Sequence, residues 1–129
     1  MIIAGEASGD MHGANLVREM LNINPALSFY GIGGKKLREE GVELLADASE
    51  MAVVGLTEAI SKLRSILKTM TMMKKSLDER RPDLVILIDY PDFNLSIAKA
   101  ASKRGIKVLY YISPQVWAWR KGRIGKIKK

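Results

Sequence analysis

Short apolar runs alternate with amphipathic segments along the chain, which predicts strands that alternate with helices. The predicted strands cover residues 1–4, 27–32, 42–46, 84–89 and 106–112, and the predicted helices cover 11–21, 35–40, 57–79 and 94–104. The longest helix carries Ile60, Leu63 and Leu67 at helical spacing. This alternation predicts an α/β fold with a doubly wound, Rossmann-like parallel sheet, whose strand carboxyl ends all lie at one edge.

The strand at Leu84–Ile88 is the most informative of these elements. Its five consecutive apolar residues, LVILI, are typical of a strand that is buried on both faces, and Asp89 follows directly. Open α/β sheets bind ligands at the carboxyl ends of such strands. Asp89 could therefore act as a general base on a substrate hydroxyl, or it could be a structural carboxylate satisfied by a helix N-terminus.

The residues after Asp89 form the turn into the next predicted helix. Asp92 is predicted to be the N-cap of that helix, and Asn94 could hydrogen-bond either a ligand or the backbone. Gly105 is predicted to occupy the C′ position at the end of the same helix.

A glycine-rich segment, GEASGDMHG, follows the first strand. It places Gly5, Gly9 and Gly13 four residues apart, and it matches neither the dinucleotide-binding pattern nor a P-loop. Two interpretations remain open. The backbone could approach a phosphate or sugar at a helix N-terminus, or the segment could be a tight turn with Ser8 or Asp10 as the helix N-cap.

The single histidine and the two tryptophans are further candidates for substrate contact. His12 is the only histidine, which argues against a Ser-His-Asp site or a histidine-rich metal site, and it could be a substrate contact or a solvated surface residue. In SPQVWAWR, alternation would direct Trp117 and Trp119 to opposite sides, one toward the core and one toward a cleft beside Gln115. Base stacking is the alternative for these rings.

Composition and charge narrow the class of protein. The 129 residues are 47% hydrophobic and 27% charged, with no cysteine, which excludes disulfides and thiolate metal sites. The net charge is +7, but the last ten residues hold six of the 21 basic side chains and no acid, so the remainder is nearly neutral. No apolar run suggests a membrane span, and the first residues lack the features of a signal peptide, so a cytoplasmic location is expected.

Four segments together resemble the lipid-A-disaccharide synthase family. They are AGEASGDMHGANL, EMAVVGLTEAI, LIDYPDFN and YYISPQVWAWRKGRIGKIKK, and their order and spacing cover essentially the whole chain. The resemblance implies an inverting glycosyltransferase with two Rossmann-like domains, the GT-B architecture. Its substrates would be UDP-2,3-diacylglucosamine and 2,3-diacylglucosamine 1-phosphate (lipid X), and its products the β-1′,6-linked lipid A disaccharide and UDP.

The resemblance also assigns roles to residues. Asp89 matches the general base that would deprotonate the 6-hydroxyl of the acceptor. The substrate-binding candidates are Glu6, Ser8, Gly9, His12, Asn94, Gln115 and Trp117. The candidates for a surface that faces acyl chains and the membrane are Leu56, Ile60, Leu63 and Leu67. No metal, cofactor or nucleic-acid partner is implied, and the expected location is cytoplasmic, peripheral on the inner membrane.

Family members are much longer than this chain. Residues 1–129 are therefore expected to be a partial N-terminal, acceptor-binding domain without the UDP-donor domain, and to be inactive alone. The alternative is a non-catalytic module whose basic tail, Arg120–Lys129, binds nucleic acid or an anionic surface. Such binding would weaken steeply with salt and would be lost with the tail.

Overall fold

Strands and helices alternate as the sequence predicts. The computed structural model describes residues 1–48 and 56–112, and within the second range the side chains of residues 63–111. The strands are β1 (Ile2–Ala4), β2 (Tyr30–Gly33), β3 (Glu43–Asp47), β4 (Leu84–Ile88) and β5 (Lys107–Ile112). The helices are α1 (Ala7–Ile23), α2 (Lys35–Glu39), α3 (Leu56–Arg80) and α4 (Pro91–Lys103). The predicted order of elements is confirmed over the described residues.

The five strands form one parallel sheet in the order β3-β2-β1-β4-β5. All their carboxyl ends lie on the same side, which we call the carboxyl edge. The chain runs outward from β1 through β2 to β3, then crosses to β4 on the other side of β1. The position between β1 and β4 is therefore the topological switch point of the sheet, where α/β proteins commonly bind ligands.

Both faces of the sheet are covered, which confirms the doubly wound arrangement. Alternate residues of each strand point to opposite faces. One face packs on α1 and α2 through Ile2, Ala4, Ile86, Ile88, Ala14, Val17 and Leu37. The other packs on α3 and α4 through Ile3, Val85, Leu87, Met73, Leu77, Phe93 and Ile97. Residues Val85–Ile88 are all buried, as expected for a strand covered on both faces.

Helix α1 begins at Ala7, earlier than the predicted start at Met11, and its N-cap is Glu6. Of the two open interpretations of this segment, the tight turn with Ser8 or Asp10 as the N-cap is therefore wrong, because both residues lie inside the helix. Glycine has low helix propensity, which made the GEASGD segment resemble a turn.

Tertiary packing explains why this glycine-rich segment is helical. A Cβ atom on Gly9 would lie 3.2 Å from Ile88 Cγ2, and one on Gly13 would lie 3.0 Å from Ile88 Cδ1. The two glycines lie one helical turn apart on the same face, so their missing side chains let α1 approach β4 closely. This packing compensates for the low helix propensity of glycine.

Helix α4 begins at Pro91, and its N-cap is Tyr90. The prediction that Asp92 is the N-cap is therefore wrong. Proline is favourable in the first helical position because it has no N–H to leave unpaired, and an acid in the first turn interacts favourably with the helix dipole. Gly105 follows the C-cap with φ +72°, so its predicted C′ role is confirmed.

Strand β2 is shorter than predicted, beginning at Tyr30 and not at Leu27. The side chain of Asn24 accepts a hydrogen bond from the Ala26 N–H (3.1 Å), and its carbonyl accepts one from the Leu27 N–H (3.2 Å). The chain forms this turn before it can enter the sheet, and Leu27 remains exposed.

Candidate active site at the carboxyl edge

The ends of β1 and β4 adjoin at the topological switch point. Ala4 is in register with Ile88, so the next residues, Gly5 and Asp89, leave the sheet side by side. The turn before α1 and the acid that the sequence singles out are therefore brought together. This agrees with the prediction that the strand carboxyl ends all lie at one edge of the sheet.

Tyr90 fills the space between these two strand ends. A Cβ atom on Gly5 would lie within 3 Å of three Tyr90 ring atoms, so the ring rests directly on the Gly5 backbone. The ring also stacks on Phe93, with centroids 5.2 Å apart and planes 16° apart. Burial raises the pKa of the Tyr90 hydroxyl, which keeps it neutral. A phosphate group entering this crevice would have to displace the ring.

Asp89 adopts an uncommon backbone conformation. Its φ is +48°, and that of Tyr90 is +53°, so two consecutive residues other than glycine lie in the left-handed region. The Asp89 side chain is partly exposed, and its carboxylate forms no hydrogen bond or ion pair with the residues that the structure describes. The structural interpretation of Asp89 requires its carboxylate to bond a helix N-terminus, and the described residues contain no such contact.

Two side chains hold the main-chain carbonyl of Asp89 instead. Asn94 Nδ2 donates to this oxygen at 2.6 Å and more weakly to the Ile88 carbonyl at 3.4 Å. The Tyr110 hydroxyl donates to the same Asp89 oxygen at 3.0 Å. Asn94 is completely buried, and its Oδ1 has no hydrogen-bond partner among the described residues. Of the two open interpretations of Asn94, the structure therefore provides the hydrogen bond to the backbone.

Burial is the main reason that the pKa of Tyr110 lies well above its ordinary value. The negative charge of Asp89 raises this pKa further, and Asn94 offsets part of the increase. Tyr110 therefore remains a protonated donor at every physiological pH. Sequence reasoning missed this residue, although its alternation with the exposed Leu109 and Tyr111 indicates that it faces inward.

The predicted substrate-binding residues near the start of α1 fall into two groups. Glu6, Ser8 and His12 are exposed, and Ser8 and His12 lie one turn apart on the same side of the helix. Gly9 is buried against Ala4 and Ile88. The exposed group presents a carboxylate, a hydroxyl and an imidazole close to the end of β1.

Asp10, which α1 does not use as a cap, has a different structural role. Its carboxylate accepts hydrogen bonds from the backbone N–H groups of Gly34 (2.8 Å), Lys36 (3.0 Å) and Leu37 (3.1 Å). It therefore caps the beginning of α2 from a neighbouring helix. A buried carboxylate with three such bonds stabilises the turn after β2, and each bond to a charged group contributes about 1.5–3 kcal/mol.

The remaining predicted residues follow β5 in the sequence or lie on α3. Gln115 and Trp117 lie outside the described residues. Leu56 and Ile60 lie on α3, where the placement of their side chains is likewise outside the description. Leu63 and Leu67, one turn apart on the same helix, are 56% and 58% exposed. The structure therefore brings Asp89 and Asn94 together with the turn before α1, and it places Leu63 and Leu67 on the surface of α3.

Among the side chains of residues 1–48 and 63–111, no group of three or more potential metal ligands is close enough together to hold an ion. No helix in the described part of the chain combines the length and the hydropathy needed to cross a bilayer.

The fold and the site define a doubly wound α/β protein with an acidic candidate active site at the topological switch point of its sheet. A family model described as lipid-A-disaccharide synthetase matches residues 1–129. The chain therefore belongs to the lipid-A-disaccharide synthase family, which confirms the resemblance found in its motifs.

Individual relatives agree with this assignment. The chain is 64% identical to the lipid-A-disaccharide synthase of Syntrophus aciditrophicus, over 98% of this chain and 33% of the relative. It is 58% identical to that of Geobacter metallireducens and 53% identical to that of Coxiella burnetii, in both cases over 100% of this chain and 34% of the relative. The chain spans about a third of the length of these curated relatives.

Proposed function

We propose that this chain is part of a glycosyltransferase that makes the lipid A disaccharide. The enzyme would transfer 2,3-diacylglucosamine from UDP to the 6-hydroxyl of 2,3-diacylglucosamine 1-phosphate (lipid X), with inversion at the anomeric carbon. The observation that carries this proposal is the Asp89 carboxylate at the switch point, which has no hydrogen-bond or ion-pair partner among the described residues. Membership of the family supplies the reaction class.

The proposed role of Asp89 follows from the chemistry of the transfer. A sugar hydroxyl is a weak nucleophile, and a placed carboxylate that removes its proton contributes typically about 10²–10⁴-fold to the rate. The acceptor oxygen then bonds to the anomeric carbon while the bond to UDP breaks, and the proton remains on Asp89. Inversion requires the base and the acceptor to lie on the side of the anomeric carbon opposite the leaving UDP. If Asp89 holds the acceptor in this crevice, the UDP group of the donor lies outside it.

The position of the donor site is part of the proposal. Tyr90 occupies the crevice where an α/β sheet would otherwise accept phosphate groups. We infer that residues 1–129 belong to the acceptor-binding domain of a GT-B enzyme, that UDP binds mainly elsewhere in the full-length protein, and that this chain alone does not turn over. Glu6, Ser8 and His12 are available to contact polar groups of the sugar. The test is whether the full-length protein forms disaccharide and UDP from both substrates, in a reaction that requires Asp89.

The exposed side of α3 supports a further part of the proposal, peripheral contact with the inner membrane. Leu63 and Leu67 project into solvent beside the exposed cations Arg64 and Lys68. Apolar side chains flanked by basic ones are typical of helices that lie at an anionic lipid surface. Both substrates carry acyl chains, so contact with the membrane would give the enzyme access to them.

Substitution of Leu63 and Leu67 together by serine is expected to weaken membrane binding. Each leucine side chain that no longer enters the lipid loses about 1.5 kcal/mol or more of transfer free energy. We therefore expect the affinity of the protein for vesicles to fall by at least about 100-fold. The measurement is cosedimentation of the full-length protein with vesicles that contain phosphatidylglycerol.

Ile23→Ser is the matched control for this experiment, because Ile23 is 85% exposed at the end of α1 and lies away from α3. It should leave vesicle binding unchanged. Equal binding by the wild type and the Leu63/Leu67 variant would refute the membrane role of this surface. Tight, sequence-selective binding of RNA would instead favour the alternative module with a basic tail, whose residues lie outside the described ranges.

A further inference from the structure

The main-chain oxygen of Asp89 accepts two side-chain hydrogen bonds from different elements. Asn94 belongs to α4 and Tyr110 to β5, and their donors lie 2.6 Å and 3.0 Å from this oxygen. Neither donor contacts the Asp89 carboxylate by a hydrogen bond. The two bonds thus fix the peptide group that follows Asp89 and leave its side chain available.

This peptide group needs such support because of its conformation. Asp89 and Tyr90 both have positive φ, and left-handed backbone is strained for a residue other than glycine. Conformations of this kind persist only where the surrounding structure holds them. Without the two hydrogen bonds, relaxation of φ and ψ at Asp89 would turn its Cα–Cβ bond and move the carboxylate.

Both donors are themselves fixed. Asn94 has no exposed surface, and its Nδ2 faces the carbonyl oxygens of Ile88 and Asp89. Rotation of the amide by half a turn would place Oδ1 against these two oxygens, so the observed orientation is fixed. The Tyr110 ring packs against the core beneath α4. Because both donors are rigid, they fix the orientation of the Asp89 peptide group as well as its position. Proton removal requires both, since the carboxylate must lie at the right distance and angle from the hydroxyl.

We propose that Asn94 and Tyr110 are positioning residues that hold the Asp89 peptide in its left-handed conformation and so aim the carboxylate at the acceptor hydroxyl. The inference rests on the proposed function of Asp89 as the general base. It gives Asn94 a role through the backbone and assigns a role to Tyr110, which is not among the site residues predicted from the sequence.

The test is the Tyr110→Phe variant of the full-length protein, assayed with UDP-2,3-diacylglucosamine and lipid X. It removes one hydroxyl and keeps the ring that packs in the core. A displacement of the base by about 1 Å costs up to about 100-fold, so we expect kcat to fall by about 10- to 100-fold. KM for both substrates should stay within about twofold, because neither substrate loses a contact.

Tyr111→Phe is the matched control, since it removes the same atom from the neighbouring residue, whose side chain is 45% exposed. It should retain the wild-type kcat. Asn94→Ala should lower kcat at least as much as Tyr110→Phe, and Tyr110→Phe alone carries the test if that variant does not fold. The proposal is overturned if kcat of Tyr110→Phe stays within twofold of the wild type, if KM rises as much as kcat falls, or if Tyr111→Phe loses as much.

Asp89→Asn, assayed in parallel, separates this inference from the proposed function. An inactive Asp89→Asn with a fully active Tyr110→Phe would refute the positioning role and leave the general base in place. A fully active Asp89→Asn would refute the general base itself, and the positioning role with it.

Discussion

Replacing Asp89 by asparagine in a full-length protein that carries this sequence is expected to lower kcat by about 10²- to 10⁴-fold. The amide is nearly the same size as the carboxylate but cannot accept the acceptor's proton. The partly exposed side chain forms no hydrogen bond with the described residues, so its replacement should leave the fold intact. The measurement is the rate of UDP release and disaccharide formation, with UDP affinity determined separately.

Asp83→Asn is the matched control for this variant. Asp83 is exposed and precedes β4, at the opposite edge of the sheet from Asp89, so the same chemical change there should leave kcat unaltered. UDP should bind Asp89→Asn with wild-type affinity, because the donor site is proposed to lie elsewhere. Wild-type turnover by Asp89→Asn would disprove the catalytic assignment.

The substitution with the largest expected effect on stability is Gly31→Ala. A Cβ atom on Gly31 would lie 1.8 Å from the Ile2 carbonyl oxygen and 2.8 Å from the Ile2 carbonyl carbon. Both are backbone atoms of β1, the central strand, and they cannot move without breaking its pairing on either side. We expect a loss of about 4 kcal/mol or more in the free energy of unfolding, seen as a lower thermal midpoint or as insoluble protein.

Gly41→Ala provides the comparison, because Gly41 also has positive φ (+92°) but no atom of the described residues lies within 4 Å of the added Cβ. It should cost only about 1 kcal/mol, from the backbone conformation alone. Similar thermal midpoints for the two variants would contradict the close approach of β2 to β1 at Gly31.

The order of the elements could be predicted from the sequence because each strand is a short apolar run and each longer helix has an apolar stripe. The errors occur where tertiary contacts override local preference. Gly9 weakens a helix when it is considered alone, yet it lies within α1 because it packs on Ile88. Asp10 resembles a cap of its own helix, but its carboxylate caps α2.

The sequence predicts only part of the candidate site. Asp89 stands out because an acid directly follows a buried strand, and parallel topology then places it beside the turn after β1. The hydrogen bond that its carbonyl accepts from Tyr110 joins the residue after β4 to β5, and no local sequence pattern indicates this contact. The left-handed conformation of Asp89 and Tyr90 could not be predicted either, since neither residue is glycine.

The contact between Gly5 and the Tyr90 ring has a consequence for the evolution of this fold. A side chain at position 5 would overlap the ring, and removal of the ring would leave a void against Phe93. A larger residue at position 5 therefore requires a smaller one at position 90, whereas a smaller residue at position 90 does not require a change at Gly5. A lineage that acquired nucleotide binding at this crevice would have to lose the Tyr90 ring and keep Gly5, because the ring occupies the space that phosphate groups would take.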